Sequence, residues 1–200
     1  MTIEELYKIL LNDKPSEELK NKEKELFVLI PELVICKGFD QKNDWHIYDV
    51  YEHTLHVVDN VENDDILRMS ALFHDIGKPS TYTEDENKIG HFYNHWNESV
   101  SIFNRYKDKF DLTDEEIKLI INSIYYHDIN LDKITKEELE ILIERIGIEN
   151  MDLLFNLKRA DLLAQSKEFH NLLININNQE QNPCNRPFGY EREQRKQCLI

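Results

Sequence analysis

The chain is poor in the residues that punctuate loops, with 5 glycines and 5 prolines among 200 residues. That scarcity excludes collagen-like repeats, low-complexity linkers and a loop-rich β-sandwich, and it favours helix. Cysteine is also sparse: Cys36, Cys184 and Cys198 form no CxxC or CxxxxC pair. An odd, widely spaced set argues against a thiolate zinc site and for a reducing compartment, so a cytoplasmic location is expected. No apolar run approaches the ~20 residues that span a bilayer, and the opening MTIEELYKILLNDK is acidic and amphipathic, unlike a basic signal segment. Cys198 stands third from the end, where prenylation requires the fourth position, so no lipid anchor and no membrane partner are expected. Positive charge is short as well, with 24 Lys and Arg against 39 Asp and Glu and a formal net charge of -15. Such a field repels polyanions, which makes extended nucleic acid a poor partner while leaving room for a local cationic site.

What the chain does have is helical periodicity. Thr2 and Glu5 make a capping box ahead of Ile3, Leu6, Ile9 and Leu10, which predicts a first helix to about Asn12. Pro15 and Ser16 open a second helix that Pro31 stops, and PELVICKG then reads as a turn. Asp49 is placed to cap a helix carrying Tyr51, Leu55, Val58 and Val61, and Asp64 or Asp65 to cap the next. That next helix, Ile66 to Phe73, is apolar enough to be buried and halts at Gly77, Lys78 and Pro79. STYTEDENKIG reads as a surface loop, His91 to Tyr106 as a helix, and Thr113 with Glu116 as the start of a helix reaching His127. Helices follow over Lys136 to Ile146 and roughly Asn150 to Leu173. The expected architecture is all-α: an N-terminal helical extension over residues 1–30, a domain over 31–175 and a polar tail over 176–200.

Chemistry enters at Ala71-Leu72-Phe73-His74-Asp75. An ionised carboxylate closing an apolar helix needs a compensating charge, and a divalent metal supplies one while accepting a neutral imidazole as ligand. For an isolated pair the plainer reading is that Asp75 accepts hydrogen bonds from the turn and His74 is a satisfied core residue. The ordered set of His53, then His74-Asp75, then a distant Asp161 resembles the HD superfamily of metal-dependent phosphohydrolases. Within it, PELVICKGFDQ, DVYEHTLHVVD, ALFHDIGKPSTYT, HFYNHW and LKRADLLAQ are similar, in order, to the C-terminal HD domain of bacterial tRNA CCA nucleotidyltransferases, over roughly residues 31 to 165. Two features depart from that pattern. Asn94 stands where a glycine is usual, and the 200 residues contain no nucleotidyltransferase head, so CCA addition is not expected.

The resemblance implies a single helical bundle with a metal site between helices, held by His53, His74, Asp75 and Asp161. It also implies that His95 and His127 resemble the additional histidines of dinuclear members, where the HD aspartate bridges both ions. The cofactor is then one or two divalent ions, Fe, Mn, Co, Ni or Mg. Lys78 resembles a family lysine beside the phosphate, and Asp75 with Lys78 carries the catalytic role. His91 and Arg159 are candidate substrate contacts, with a helix start and a solvated face as their plainer roles; Lys158 belongs with Arg159. His46 and His170 lack motif support and read as structural or exposed. The implied activity is hydrolysis, by a metal-activated hydroxide, of a small nucleotide or RNA-end phosphoester: a 2',3'-cyclic phosphate, a 2'-nucleotide or a phosphate monoester. The alternative is a non-catalytic module that binds RNA ends or a protein and uses the metal structurally.

Overall fold

The computed structural model describes residues 1–130 and 133–173. The chain begins with α1 (Ile3–Leu10), α2 (Pro15–Asn21), α3 (Glu23–Leu29) and α4 (Glu32–Cys36). Next come α5 (Val50–Asn60), α6 (Asp65–Phe73) and the short α7 (Lys78–Thr81), then strands β1 (Thr83–Glu84) and β2 (Gly90–His91). The remaining helices are α8 (His95–Asn104), α9 (Asp114–Tyr126), α10 (Lys136–Ile146) and α11 (Met151–Leu163). Among the described residues the only sheet is the antiparallel β1–β2 pair, so the all-α class expected from the sequence holds.

Local capping accounts for several helix starts. Thr2 with Glu5 and Thr113 with Glu116 close reciprocal capping boxes on α1 and α9. Asp49 accepts from the Glu52 amide to start α5, and Asp64, not Asp65, accepts from the Leu67 amide to start α6. A third box, Thr135 with Glu138, begins α10, and Gly147 ends it with a φ of 85°.

The core explains the packing. Leu6, Ile9, Leu10, Leu19, Leu26 and Ile30 are buried in the same apolar cluster as Val57, Val58, Leu72, Phe73, Phe103, Ile120 and Leu157. Helix α6 is buried over most of its length because it packs on α5, α8, α9 and α11. Its C-terminal end, where the polar residues stand, therefore emerges deep inside the bundle. A smaller cluster of Leu142, Ile146, Met151, Leu154, Phe155 and Leu162 joins α10 to α11.

Several extents differ from the sequence-based expectation, each for a tertiary reason. The predicted helix from Pro15 breaks at Lys22, which leaves helical geometry at φ -107° and ψ 23°, so that Leu19 and Leu26 both reach the core. The PELVICKG segment is helical over Glu32–Cys36, burying Leu33 and Cys36. The predicted surface loop instead contains α7 and the hairpin, whose tip is held by Asp85 accepting from the Asn87 and Ile89 amides. Helix α8 starts at His95, not His91, because Asn94 sits in the left-handed region at φ 64° and ψ 16°. That backbone suits glycine best and asparagine next, which accounts for the asparagine here. Finally, α11 ends at Leu163 and the chain turns into a 3-10 segment, Lys167–Leu172. There Phe169 stacks on Trp45 at 3.7 Å and the Ser166 amide donates to the Trp45 carbonyl at 2.8 Å. The polar tail predicted over 176–200 lies outside the described residues.

Arg68 illustrates how the bundle handles helix ends. It is buried on α6, and its guanidinium donates to the carbonyls of Val58 in the last turn of α5 and of Glu62 just beyond that helix. Arg68→Met keeps the aliphatic stem and strips those carbonyls of their donor. It is expected to lower the unfolding free energy by about 2 kcal/mol in urea denaturation; an unchanged midpoint would contradict this role.

Candidate metal centre

Five helices deliver side chains to one buried point. His53 lies in the first half of α5, where the Asp49 cap fixes the register, and Asp161 lies in α11. His74 is the residue after α6, with Asp75 in the turn beyond it, His95 is the first residue of α8, and His127 follows α9. Helix ends thus supply most of the cluster, and rigid packing of α6 on α8 and α9 sets their spacing.

Asp75 is the centre of the arrangement. Its Oδ2 lies 3.3 Å from His53 Nε2, 3.2 Å from His74 Nε2 and 2.7 Å from Lys78 Nζ. Its Oδ1 lies 3.3 Å from His95 Nε2 and 3.5 Å from His127 Nε2. Asp161 Oδ1 is 2.9 Å from His53 Nε2. Despite these distances, His53 Nε2, His74 Nε2 and both Asp75 oxygens are buried without an aligned hydrogen-bond partner. Buried polar groups are rarely left so unless something else satisfies them.

The protonation pattern points the same way. His74, His95 and His127 each place Nδ1 against the carbonyl three residues earlier, on Ala71, Phe92 and Ile124, at 2.7, 2.8 and 2.7 Å. In the neutral rings the Nδ1 proton is donated there, which leaves each Nε2 as a lone pair directed inward. His95 and His127 then face each other Nε2 to Nε2 at 3.1 Å. Two lone pairs at that separation repel unless a cation lies beside both. The donor set also has the right chemistry: imidazole and carboxylate suit borderline divalent ions. His53, His74 and Asp161 present atoms within 4.8 Å of one another, as do His74, Asp75 and His127. The residues present therefore fit a divalent metal.

Electrostatics reinforce the demand for positive charge. Burial opposes ionisation of Asp75, but His74, Lys78, His127 and His53 hold its carboxyl well below the usual carboxylate range. Asp161 behaves alike, with burial outweighed by the His53 imidazole 2.9 Å from its Oδ1. Burial pushes His53 down, yet Asp161 and Asp75 together raise it to about 9. The two buried carboxylates call for positive charge, which Lys78 and a protonated His53 can supply and which a divalent ion would supply in place of the His53 proton.

Lys78 is buried at 5% exposure, and its ammonium meets Asp75 Oδ2, Gln41 Oε1 at 2.9 Å and His46 Nε2 at 3.1 Å. Sequence reasoning missed Gln41 altogether and read His46 as structural or exposed. In the structure His46 also lies with His53 and Asp75 within metal-holding distance. No spacing rule marks either residue, because their contact with Lys78 spans 37 and 32 positions of sequence.

A cavity of about 210 Å³ opens over the cluster, lined by Asp75, Lys78, His95, His127 and Asp161 together with His91 and the exposed Asp128. Arg159 is not among the residues that line it. Lys158 serves the fold: its ammonium donates to the carbonyls of His127 and Ile129 at 2.6 and 2.7 Å, fixing the end of α9. His56 turns away, its ring stacked on Tyr48 at 4.3 Å.

A mainly helical bundle whose helix ends aim imidazoles and a shared carboxylate at one cavity defines a class, that of helical domains with a buried cluster fit for a divalent metal. Residues 44–185, well over half of the chain, match the family model of the HD domain. The chain belongs to the HD domain family, which falls within a superfamily of metal-dependent phosphohydrolases. No curated protein gave a significant match.

Gly77 shows how tightly the two halves are joined. A Cβ there would lie 2.5 Å from the His95 carbonyl oxygen and 2.6 Å from the Ser99 amide nitrogen, while the Gly77 amide donates to Ser99 Oγ at 3.0 Å. Because those neighbours are backbone atoms, Gly77→Ala forces α8 away from the His74-Asp75 turn. The expected result is a loss of about 2 kcal/mol in stability and weaker metal retention, read by thermal melting and by elemental analysis after dialysis. Full metal content with an unchanged melt would contradict it.

Proposed function

We propose that the protein is a metal-dependent phosphohydrolase acting on nucleotide or RNA-end phosphoesters: 2',3'-cyclic phosphates, 2'-nucleotides or phosphate monoesters. The observation that carries this reading is the division of the Asp75 carboxylate, with Oδ2 toward His53 and His74 and Oδ1 toward His95 and His127. Such a division supports one ion held by His53, His74, Asp75 and Asp161 and a second held by Asp75, His95 and His127. Fe, Mn, Co, Ni and Mg are the candidate ions. Bound there, a divalent ion supplies Lewis acidity toward a phosphoryl oxygen and lowers the pKa of a water.

The chain's own residues account for the rest. Lys78 sets a buried ammonium beside Asp75, where it offsets negative charge building on the phosphoryl oxygens. The hydrogen bonds from His74, His95 and His127 to backbone carbonyls hold each ring in one orientation, so the site is formed before substrate arrives. His91, on the cavity wall, is the candidate contact for the ester. The sequence likeness to the C-terminal HD domain of tRNA CCA nucleotidyltransferases supports a nucleotide or RNA-end substrate. The net charge of -15 favours a small phosphoester over a polyanion. Residues 31–175 form the proposed catalytic domain, with 1–30 as an extension and 176–200 as a tail, in a cytoplasmic protein.

The test is a phosphoester panel on Mn²⁺-loaded protein: adenosine 2',3'-cyclic phosphate, 2'-AMP and p-nitrophenyl phosphate. Hydrolysis of at least one is expected, falling on the order of 10³-fold in Asp75→Asn. Failure on every ester by a metal-loaded, folded protein would leave the metal a purely structural role and overturn the proposal.

A further inference from the structure

Part of the cavity wall is aromatic, and while Phe92 meets the Lys78 ammonium and orients His95 through its carbonyl, the Tyr93 and Trp96 rings have no part in the hydrolytic scheme. Phe92, Tyr93 and Trp96 line it beside His95. Tyr93 is 68% exposed, second only to Val28 among the large hydrophobic side chains of the described residues. The segment that carries it is anchored at several points, and the ring itself meets His91. The His91 ring lies nearly parallel to it, at 10° and 5.4 Å between centroids, and His91 is itself held 3.2 Å from the Asp85 carboxylate. Phe92 anchors the same segment by edge contacts with Phe39 at 6.4 Å and a tilted one with Tyr82 at 5.6 Å. The Gly90 amide donates to the Lys42 carbonyl at 2.8 Å, an approach so close that a Cβ on Gly90 would overlap the Gln41 carbonyl oxygen. The left-handed turn at Asn94 then leads directly into His95.

We propose that Tyr93 and Trp96 form a nucleobase subsite at the mouth of the cavity. This rests on the phosphoester reading above and narrows it to nucleotides whose base is recognised by stacking. A rigid aromatic ring facing solvent costs little to immobilise and offers a flat face that any base can use. The chain's negative field cannot draw a phosphoester in from a distance, so base contact supplies affinity that charge does not. Tyr93 is two residues from His95, which ties the stacking face to the phosphoryl centre through one short, well-anchored segment. The occupant is therefore a nucleotide with its phosphate over Asp75 and its base against Tyr93.

The experiment compares binding of adenosine 5'-phosphorothioate and ribose 5-phosphorothioate to Mn²⁺-loaded protein by calorimetry. The adenosine compound is expected to bind at least about ten-fold more tightly, with that advantage lost in Tyr93→Ala and kept in Tyr93→Phe. Because the readout is binding, an inactive protein that shows this advantage would sink the hydrolase and leave the subsite standing. Equal affinity for the two compounds, or an advantage untouched by Tyr93→Ala, would overturn the subsite even in an active enzyme. So would a Tyr93→Ala change that turns a dimer into a monomer in gel filtration without moving nucleotide affinity.

Discussion

A buried carboxylate with no aligned donor is the constraint on which the rest of this structure depends. Asp75 is nearly inaccessible, and an ionised group in that position is tolerated only where positive charge is assembled beside it, from Lys78 and from a cation that the inward-facing Nε2 lone pairs can share. The arrangement of α5, α6, α8, α9 and α11 can be understood as the assembly of that surround. Histidines of α5 and α8 and those that follow α6 and α9 converge on Asp75, Asp161 of α11 joins through His53, and Lys78 supplies a fixed cation from the turn that follows Asp75.

Helix termini make this possible with few residues. A helix that ends inside a bundle leaves carbonyls without partners, and an imidazole just beyond the end can donate to one of them. His74 on Ala71 and His127 on Ile124 do this at the ends of α6 and α9. One hydrogen bond thereby satisfies the helix and selects the tautomer that points a lone pair at Asp75. Lys158 performs a related service from α11 by holding the carbonyls of His127 and Ile129. The close approach at Gly77 and the left-handed turn at Asn94 bring α8 near enough for His95 to join.

What was legible in the sequence follows from how local each interaction is. The choice between Asp64 and Asp65 was left to the structure, whereas caps at Thr2, Asp49 and Thr113 involve residues three apart and were readable. The same is true of the His74-Asp75 dyad, because a carboxylate after an apolar helix is costly on its face. His53, His95, His127 and Asp161 came into view only through family resemblance, since no local rule shows that distant helices converge. The helix at Glu32–Cys36, the β1–β2 hairpin and the end of α11 depend on tertiary contacts such as the Trp45–Phe169 stack. Gln41 and His46 were out of reach for the same reason, being recruited by Lys78 across the fold. Asn94 was visible as a departure from pattern and became intelligible once its backbone conformation was known.

The central claim is that one carboxylate organises two metal positions. Anomalous scattering from crystals grown with Mn²⁺ tests it most directly. The account predicts two peaks about 3.5–4 Å apart, one on each side of the Asp75 carboxylate, with His53 and His74 beside the first and His95 and His127 beside the second. A single peak at this cluster under saturating Mn²⁺, no peak there at all, or a peak bound elsewhere with Asp75 not in contact would contradict it.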